Sequence, residues 1–148
     1  MKVLHKQIHI ATTKQFQIFP ITKQVEQILA ESGIKNGICT VYVPHSTAGV
    51  RLNDNETLLH QDIMKMFYRL VPIDISYGHD LFEIRSNIAP NERSNGHAHV
   101  KAFLAGSSET VPIENGALSL GQHQQIFFVE FDGGRARTIN VTFMGEAM

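Results

Sequence analysis

The last third of the chain is the feature that most constrains its fold. Four segments follow one another there, "HAHVKAFLAG", "SETVPIENG", "ALSLGQHQQIFFVEFDGG" and "RARTINVTFMG". Their composition favours strands, and turn signals separate them at Glu114-Asn115-Gly116 and at Asp132-Gly133-Gly134. Strands that follow one another with short turns pair antiparallel, so we predict an antiparallel sheet from residue 97 onward.

The first half of the chain alternates strands with helices. Residues 4–10 alternate between apolar and polar side chains, as a half-buried strand does. Residues 21–33 have helical spacing, residues 36–43 form a buried strand, and residues 53–72 form the clearest helix. This order predicts an α+β fold with a mainly antiparallel, sandwich-like packed β-sheet and two principal helices, in a single domain over residues 1–148.

Two details complete the predicted layout. Asn53 and Glu56 have the spacing of a capping box at the start of the second helix. Residues 73–95 show no clean period, which predicts a long surface loop with room for one short strand.

Composition excludes several classes of protein. Hydrophobic residues make up 43%, charged residues 18%, and the formal net charge is −1, so neither a nucleic-acid partner nor an anionic membrane surface is indicated. The chain has no apolar run long enough to span a membrane and no signal-peptide pattern, so we expect a cytoplasmic protein. The single cysteine, Cys39, lies in an apolar run and is predicted to be a buried, unreactive thiol.

Histidines are the first candidates for chemistry. On a strand, His97 and His99 would point to one face and could share a divalent metal ion, zinc above all. The pair alone is a weak signal, and the alternatives are two polar strand residues, or one ligand beside a hydrogen-bonded neighbour. His79 in the long loop and His45 after the buried strand could complete a set of three or four ligands.

The junction "PHSTAGVRLNDNE", residues 44–56, carries more polar groups than a turn needs. Ser46 and Thr47 offer hydroxyl groups, and a helix that starts at Asn53 would offer free N–H groups to a phosphate. The alternative is that residues 53–55 only cap the helix.

Three charged residues are further candidates. If residues 97–105 form a strand, Lys101 leaves it on the same side as the two histidines and could bind a phosphate. Glu130 and Arg135 flank the Asp-Gly-Gly turn, and an arginine fork suits carboxylate or phosphate. A solvated lysine and a hairpin of mixed charge are the alternatives.

These motifs together resemble the YjbQ-like family, whose members are described as secondary thiamine-phosphate synthases. The resemblance covers roughly residues 5–146. It rests on the segments "PHSTAGVRLNDNE" and "YGHD" and on the stretch from "NGHAHVKAFLAG" to "FMGE". Two departures stand out: His123 occupies a position where the family often has Trp, and His97 replaces a residue that is often acidic.

The resemblance implies an α+β fold, a homotrimer with sites near subunit boundaries, and a weak ability to join a pyrimidine pyrophosphate to a thiazole phosphate. It implies these site residues: His45, Asn53, Asn55, His79, His99, Lys101, Gln124, Glu130 and Arg135.

From the motifs and the resemblance together, we predict an enzyme that acts on phosphorylated small molecules. A divalent metal ion, zinc or magnesium, would be held by His45, His79, His99 and His97, and would neutralise phosphate charge. Ser46, Thr47 and Arg135 would bind phosphate, while Asn53, Asn55 and Gln124 would orient the substrate. The alternatives are a metal-assisted phosphate-ester hydrolase and a non-catalytic binder of a phosphorylated metabolite.

Overall fold

The computed structural model describes all 148 residues of the chain. Eight strands, three α-helices and one short 3₁₀ helix follow one another. Their bounds in chain order are β1 Lys2–Ala11, β2 Gln17–Pro20, α1 Thr22–Ser32, β3 Asn36–Tyr42, β4 Ala48–Asn53, α2 Thr57–Leu70, the 3₁₀ helix Gly78–Asp80, α3 Gly96–Ala105, β5 Ser108–Glu114, β6 Ala117–Leu118, β7 Gln125–Glu130 and β8 Ala136–Glu146.

The strands form two antiparallel sheets, which confirms the predicted α+β class. The larger sheet has the order β1-β8-β3-β5-β6 and the smaller has the order β2-β7-β4. The Asn115-Gly116 turn joins β5 to β6, and both residues adopt the positive φ that such a hairpin needs, 53° and 82°. The Asp132-Gly133-Gly134 segment does not make a hairpin, because β7 and β8 belong to different sheets.

The main core lies between the two sheets and is closed by α1. Alternate residues of β3 and β8 point inward, and Val25 and Leu29 of α1 pack against them. Helix α1 ends where predicted, at Gly33, whose φ of 74° is the left-handed conformation typical of a helix C-terminus. Cys39 is fully buried in this core, and burial raises the pKa of its thiol to about 12, in agreement with the predicted unreactive role.

A second cluster lies on the outer face of the smaller sheet, under α2 and α3. Phe16, Phe67 and Phe131 pack there with ring centroids 5.1–5.8 Å apart. Helix α2 begins four residues later than predicted, because Glu56, not Asn53, caps it through the backbone N–H groups of residues 58 and 59. Asn53 is instead the last residue of β4.

The segment after Asn95 is the main error of the prediction, because it forms helix α3 and not a strand. The carbonyl of Asn95 accepts hydrogen bonds from the N–H groups of residues 98 and 99, which starts the helix. Ala98, Ala102 and Ala105 are buried at helical spacing, and alanine has the highest helix propensity. The strand prediction rested on the alternation of His97, Ala98 and His99, which is too short to distinguish a strand from a helix.

Residues 73–95 form a long loop, as predicted, but its only regular element is the 3₁₀ turn and not a strand. Arg85 fastens the loop internally by donating to the carbonyl of His79 at 2.8 Å and by pairing with Glu92. Arg93 fastens it to the β7–β8 connection by donating to the carbonyl of Asp132 at 3.0 Å. None of the helices has the length and hydrophobicity that a bilayer crossing requires.

Candidate functional site

His97 and His99 lie on different sides of α3, because residues two apart on a helix are separated by about 200° around its axis. His97 points into the protein, while His99 opens onto a cavity. The prediction that His97 and His99 point to the same face is therefore wrong.

His97 and Lys101 form a buried pair on the inner side of α3. The Nζ atom of Lys101 lies 2.9 Å from Nδ1 of His97 and 5.2 Å from the ring centre of Tyr68, and Lys101 is only 1% exposed. Burial lowers the pKa of Lys101 to about 8. The other ring nitrogen of His97, Nε2, lies 3.1 Å from the side-chain amide of Gln15. Both nitrogens of His97 are thus engaged, and neither His97 nor Lys101 lines the cavity.

His99 lies against His79 on the outer side of α3. Their ring centroids are 4.4 Å apart. His79 belongs to the long loop, which the hydrogen bonds of Arg85 and Arg93 hold in place. Burial lowers the pKa of His99, and the charge of a protonated His79 lowers it further. His79 and His99, two of the four histidines named as candidate ligands, are therefore neighbours.

His45 reaches the same cavity from the loop between β3 and β4. Its Nε2 atom lies 3.0 Å from the backbone nitrogen and 3.1 Å from the carbonyl oxygen of Thr138 in β8. Burial and the neighbouring Arg137 lower the pKa of His45, whereas the contact with Thr138 and the charge of Glu130 oppose that shift.

The cavity between α3 and the β3–β4 loop has a volume of about 550 Å³, within the range of small-molecule sites. Its lining combines imidazole, hydroxyl and small apolar groups, with one aromatic ring at the edge. The lining residues are His45, Ser46, Ala48, His99, Ala102, Phe103, Gly106 and Ser107.

The cavity is lined by only the first part of the polar junction of residues 44–56, namely His45, Ser46 and Ala48. Ser46 lines it, but Thr47 is buried and its Oγ1 accepts a hydrogen bond from Arg137 at 2.8 Å. Strand β4 separates the junction from the start of α2, so the helix N-terminus does not form a phosphate site beside His45. Asn53 lies at the far end of β4, where its Oδ1 accepts the N–H of Asp54 at 2.8 Å, and Asn55 is exposed in the following turn.

Glu130 and Arg137 form a buried ion pair behind the cavity. Glu130 is completely buried and accepts hydrogen bonds from Thr12 Oγ1 at 2.8 Å, Arg137 Nε at 2.7 Å and the N–H of Asp132 at 3.0 Å. The sequence prediction noted both Arg135 and Arg137 beside Glu130 but placed only Arg135 among the site residues. The signal was present, since Arg137 shares the parity of the inward-facing residues of β8.

Arg135 and Gln124 act on the backbone near them and do not line the cavity. Arg135 pairs with Asp132 at 2.7 Å and donates to its carbonyl at 3.1 Å, next to the Gly-Gly connection. Gln124 accepts the N–H of Gly121 at 2.8 Å and closes the turn before β7. Arg135 thus holds the Asp132 side chain and carbonyl, and Gln124 holds a backbone N–H group.

The predicted four-histidine metal site is not formed. Nowhere in the chain do three His, Cys, Asp or Glu side chains group in a way that could hold a metal ion. The donors explain why: the nitrogens of His97 face Lys101 and Gln15, and Nε2 of His45 is bound to Thr138, which leaves His79 and His99 as the only adjacent pair of the four. The four histidines of one chain therefore do not come together as a single set of metal ligands.

Comparisons with known proteins show the family. A family model described as UPF0047 protein YjbQ-like matches residues 6–146. A UPF0047 protein of Methanothermobacter thermautotrophicus is 38% identical over 146 residues, which cover 99% of this chain and 95% of that protein. The UPF0047 protein YugU of Bacillus subtilis is 37% identical over 141 residues, which cover 95% of this chain and 98% of YugU.

Solved structures agree in fold. A crystal structure from Sulfolobus solfataricus P2, described as a YbjQ-like protein of unknown function, superposes with a TM-score of 0.88 at 39% identity and covers 98% of this chain and 99% of its own. A hypothetical protein from Aeropyrum pernix K1 superposes with a TM-score of 0.86 at 35% identity, over 97% of this chain and 99% of its own.

These names overturn the predicted activity. None of these relatives is named as a thiamine-phosphate synthase, a phosphate-ester hydrolase or a binder of phosphorylated metabolites. The metal and phosphate site on which all three alternatives rested is also not assembled. The fold, the motifs and the matches over nearly the whole chain support a narrower conclusion: the chain belongs to the UPF0047 protein YjbQ-like family.

Proposed function

We propose that the chain is an enzyme that performs general acid–base chemistry on a small uncharged molecule in the cavity shared by His45 and His99. The neutral imidazole of His99 accepts a proton from a hydroxyl group of the substrate or from a water molecule. His45 and the hydroxyl of Ser46 orient the substrate by hydrogen bonds. A positioned base of this kind contributes about 10²–10⁴-fold to a rate.

The observation that carries the proposal is the environment of His99. Its ring packs on His79 and lines a cavity of suitable size. Because the pKa of His99 is lowered from 6.5, the ring is neutral at pH 7 and has a nitrogen lone pair available. His45, whose pKa is lowered as well, is neutral in the same range.

The lining of the cavity supports an uncharged substrate. Two imidazoles and two serine hydroxyls provide hydrogen bonds, but no Lys, Arg, Asp or Glu lines the cavity. The two nearby buried cations are already engaged, Lys101 with His97 and Arg137 with Glu130. A molecule with hydroxyl or carbonyl groups matches this surface better than an anion does.

Hydrolysis of p-nitrophenyl acetate tests this proposal, because the ester is uncharged and its product is coloured. In the reaction water attacks the carbonyl carbon, His99 takes the proton of the water, and p-nitrophenolate leaves as acetate forms. We expect His99→Gln to lower the rate about 100-fold. The matched control is His123→Gln, which removes an exposed histidine that does not line the cavity and keeps the wild-type rate.

The pH dependence gives a second readout of the same step. The wild-type rate rises with pH through the lowered pKa of His99 and is level above pH 7, since only the neutral ring is a base. Equal rates for the His99→Gln and His123→Gln variants would remove the support for the proposal.

We also propose that the chain assembles as a homotrimer, as the family resemblance implies. An exposed apolar patch on α3 beside the cavity supports assembly: Phe103 is 94% exposed, Leu104 54% and Val100 45%. Burying one phenylalanine side chain is worth about 1.5–3 kcal/mol. Light scattering after size exclusion should give a trimer mass for the wild type and a lower mass for Phe103→Ser. A wild-type monomer at micromolar concentration would contradict this proposal.

A further inference from the structure

Helix α2 is incompletely packed on the rest of the chain. It lies over the outer face of the smaller sheet, but Phe67 is its only buried residue. Two other members of its apolar stripe, Met66 and Leu70, are 43% and 61% exposed. Part of the apolar stripe of α2 is therefore not covered by the rest of the chain.

A cavity of about 370 Å³ lies beneath this helix. Ten of its thirteen lining residues are hydrophobic, and its volume is within the range of small-molecule sites. The apolar lining consists of Ile18, Leu52, Ile63, Met66, Phe67, Leu70, Leu104, Ala105, Phe127 and Val129. No residue is shared with the cavity of His45 and His99, which lies on the other side of the C-terminal end of α3.

The three polar lining residues come from β4 and from the first turn of α2. Arg51 and Asn53 are two residues apart on β4 and so point to one face of the strand, and His60 lies on α2. The ring of His60 meets that of Phe127 edge to face at 4.9 Å, and its Nε2 atom is buried without a partner. The side-chain oxygen of Asn53 is bound to Asp54, which leaves its NH₂ group to donate.

Arg51 is the only charged residue that lines this cavity. Its side chain is 60% exposed, and its one ion pair is a contact of 3.4 Å with Glu109. An exposed pair of this kind contributes little to stability, so the guanidinium is free to exchange its partner. The cavity thus combines an apolar interior with a single cation at its edge.

We infer that this cavity binds an amphipathic carboxylic acid. The apolar body of the ligand lies between α2 and the sheet, and its carboxylate accepts hydrogen bonds from Arg51 and from the NH₂ group of Asn53. A guanidinium fork matches a carboxylate in shape and charge. The site is separate from the proposed catalytic cavity, and the two can be tested independently.

Calorimetric titration with octanoate tests this site, and 1-octanol serves as the uncharged ligand of equal chain length. The wild type should bind octanoate more tightly than octanol. Arg51→Gln should weaken octanoate binding about tenfold, because a charge-assisted hydrogen bond is lost, and should leave octanol binding unchanged. The matched control is Arg69→Gln, which removes an exposed cation of α2 that does not line the cavity and should change neither affinity.

A second variant locates the apolar body of the ligand. Met66→Trp fills the cavity from an exposed position of α2, and should abolish binding of both ligands while circular dichroism shows an intact fold. The inference is wrong if neither ligand binds the wild type or if octanol binds as tightly as octanoate. It is also wrong if Arg51→Gln and Arg69→Gln have equal effects or if Met66→Trp leaves binding intact. If a second copy of the chain covers the cavity instead, neither ligand should bind the wild type, and Met66→Trp should have a lower mass in solution than the wild type.

Discussion

Lys101→Met is the substitution whose effect on stability follows most directly from the structure. Lys101 is 1% exposed, its ammonium contacts a neutral imidazole, and burial lowers its pKa from the ordinary value of 10.5 to about 8. A shift of that size corresponds to about 3 kcal/mol. Below about pH 8 the amine is protonated in both the folded and the unfolded chain, so the folded state bears the whole of this cost.

The sign of the pH dependence follows from proton binding. Between about pH 8 and pH 10.5 the folded amine is neutral while the unfolded amine is still protonated, so the unfolded chain binds more protons. The free energy of unfolding that Lys101 contributes therefore rises with pH across this window. Methionine has no proton to lose, so the wild type should gain about 3 kcal/mol relative to Lys101→Met between pH 7.5 and pH 10.5.

At pH 7 two effects oppose each other in the variant. Removing the buried charge stabilises the fold by about 3 kcal/mol, and loss of the hydrogen bond to His97 costs about 1–3 kcal/mol because Nδ1 stays buried without a partner. The variant should then be as stable as the wild type or about 1–2 kcal/mol more stable at pH 7.

Urea unfolding followed by circular dichroism at equal protein concentrations measures both quantities. The difference between the two proteins removes the contribution of Cys39, whose raised pKa lowers stability at high pH equally in both. A difference that stays flat, or that falls, between pH 7.5 and pH 10.5 would refute the reasoning.

Two further predictions concern the ion pair behind the cavity and the metal. Arg137→Met should lower the free energy of unfolding by about 3–5 kcal/mol in urea, because Glu130 would remain buried without its cation. Arg135→Met, which removes a partly exposed cation, should cost less than about 1 kcal/mol, and equal costs would contradict the assignment. Dialysis against EDTA should leave the rate of p-nitrophenyl acetate hydrolysis unchanged, since the chemistry proposed for His99 needs no metal ion. A rate that is lost on dialysis and restored by zinc would contradict it.

Periodicity predicted the parts of the fold in which local pattern and burial agree. Strand β1 and helix α1 were found because each has one apolar side that the core covers, and Gly33 ends α1 as its sequence position indicated. Strand β4 was missed although Ala48, Val50 and Leu52 alternate inward, because polar residues on its outer face obscured the period.

Helix α3 was missed because two histidines two apart suit a strand as well as a helix. The helix is favoured because it buries Ala98, Ala102 and Ala105 against the aromatic cluster, and this packing is not visible in the local sequence. The contact of His79 with His99, and the shared cavity of His99 and His45, depend on the long loop, α3 and the β3–β4 loop, which are far apart in the chain. Local pattern named the four histidines as candidates, but only the tertiary fold shows that His97 faces Lys101, away from the pair of His79 and His99.

Titration of the histidine ring signals by NMR tests the central claim most directly. His99 should titrate below 6.5 in the wild type, and its pKa should rise in His79→Gln, since the charge of His79 is one cause of the lowering. A His99 ring that titrates at or above 6.5, and does not respond to the loss of His79, would contradict the account.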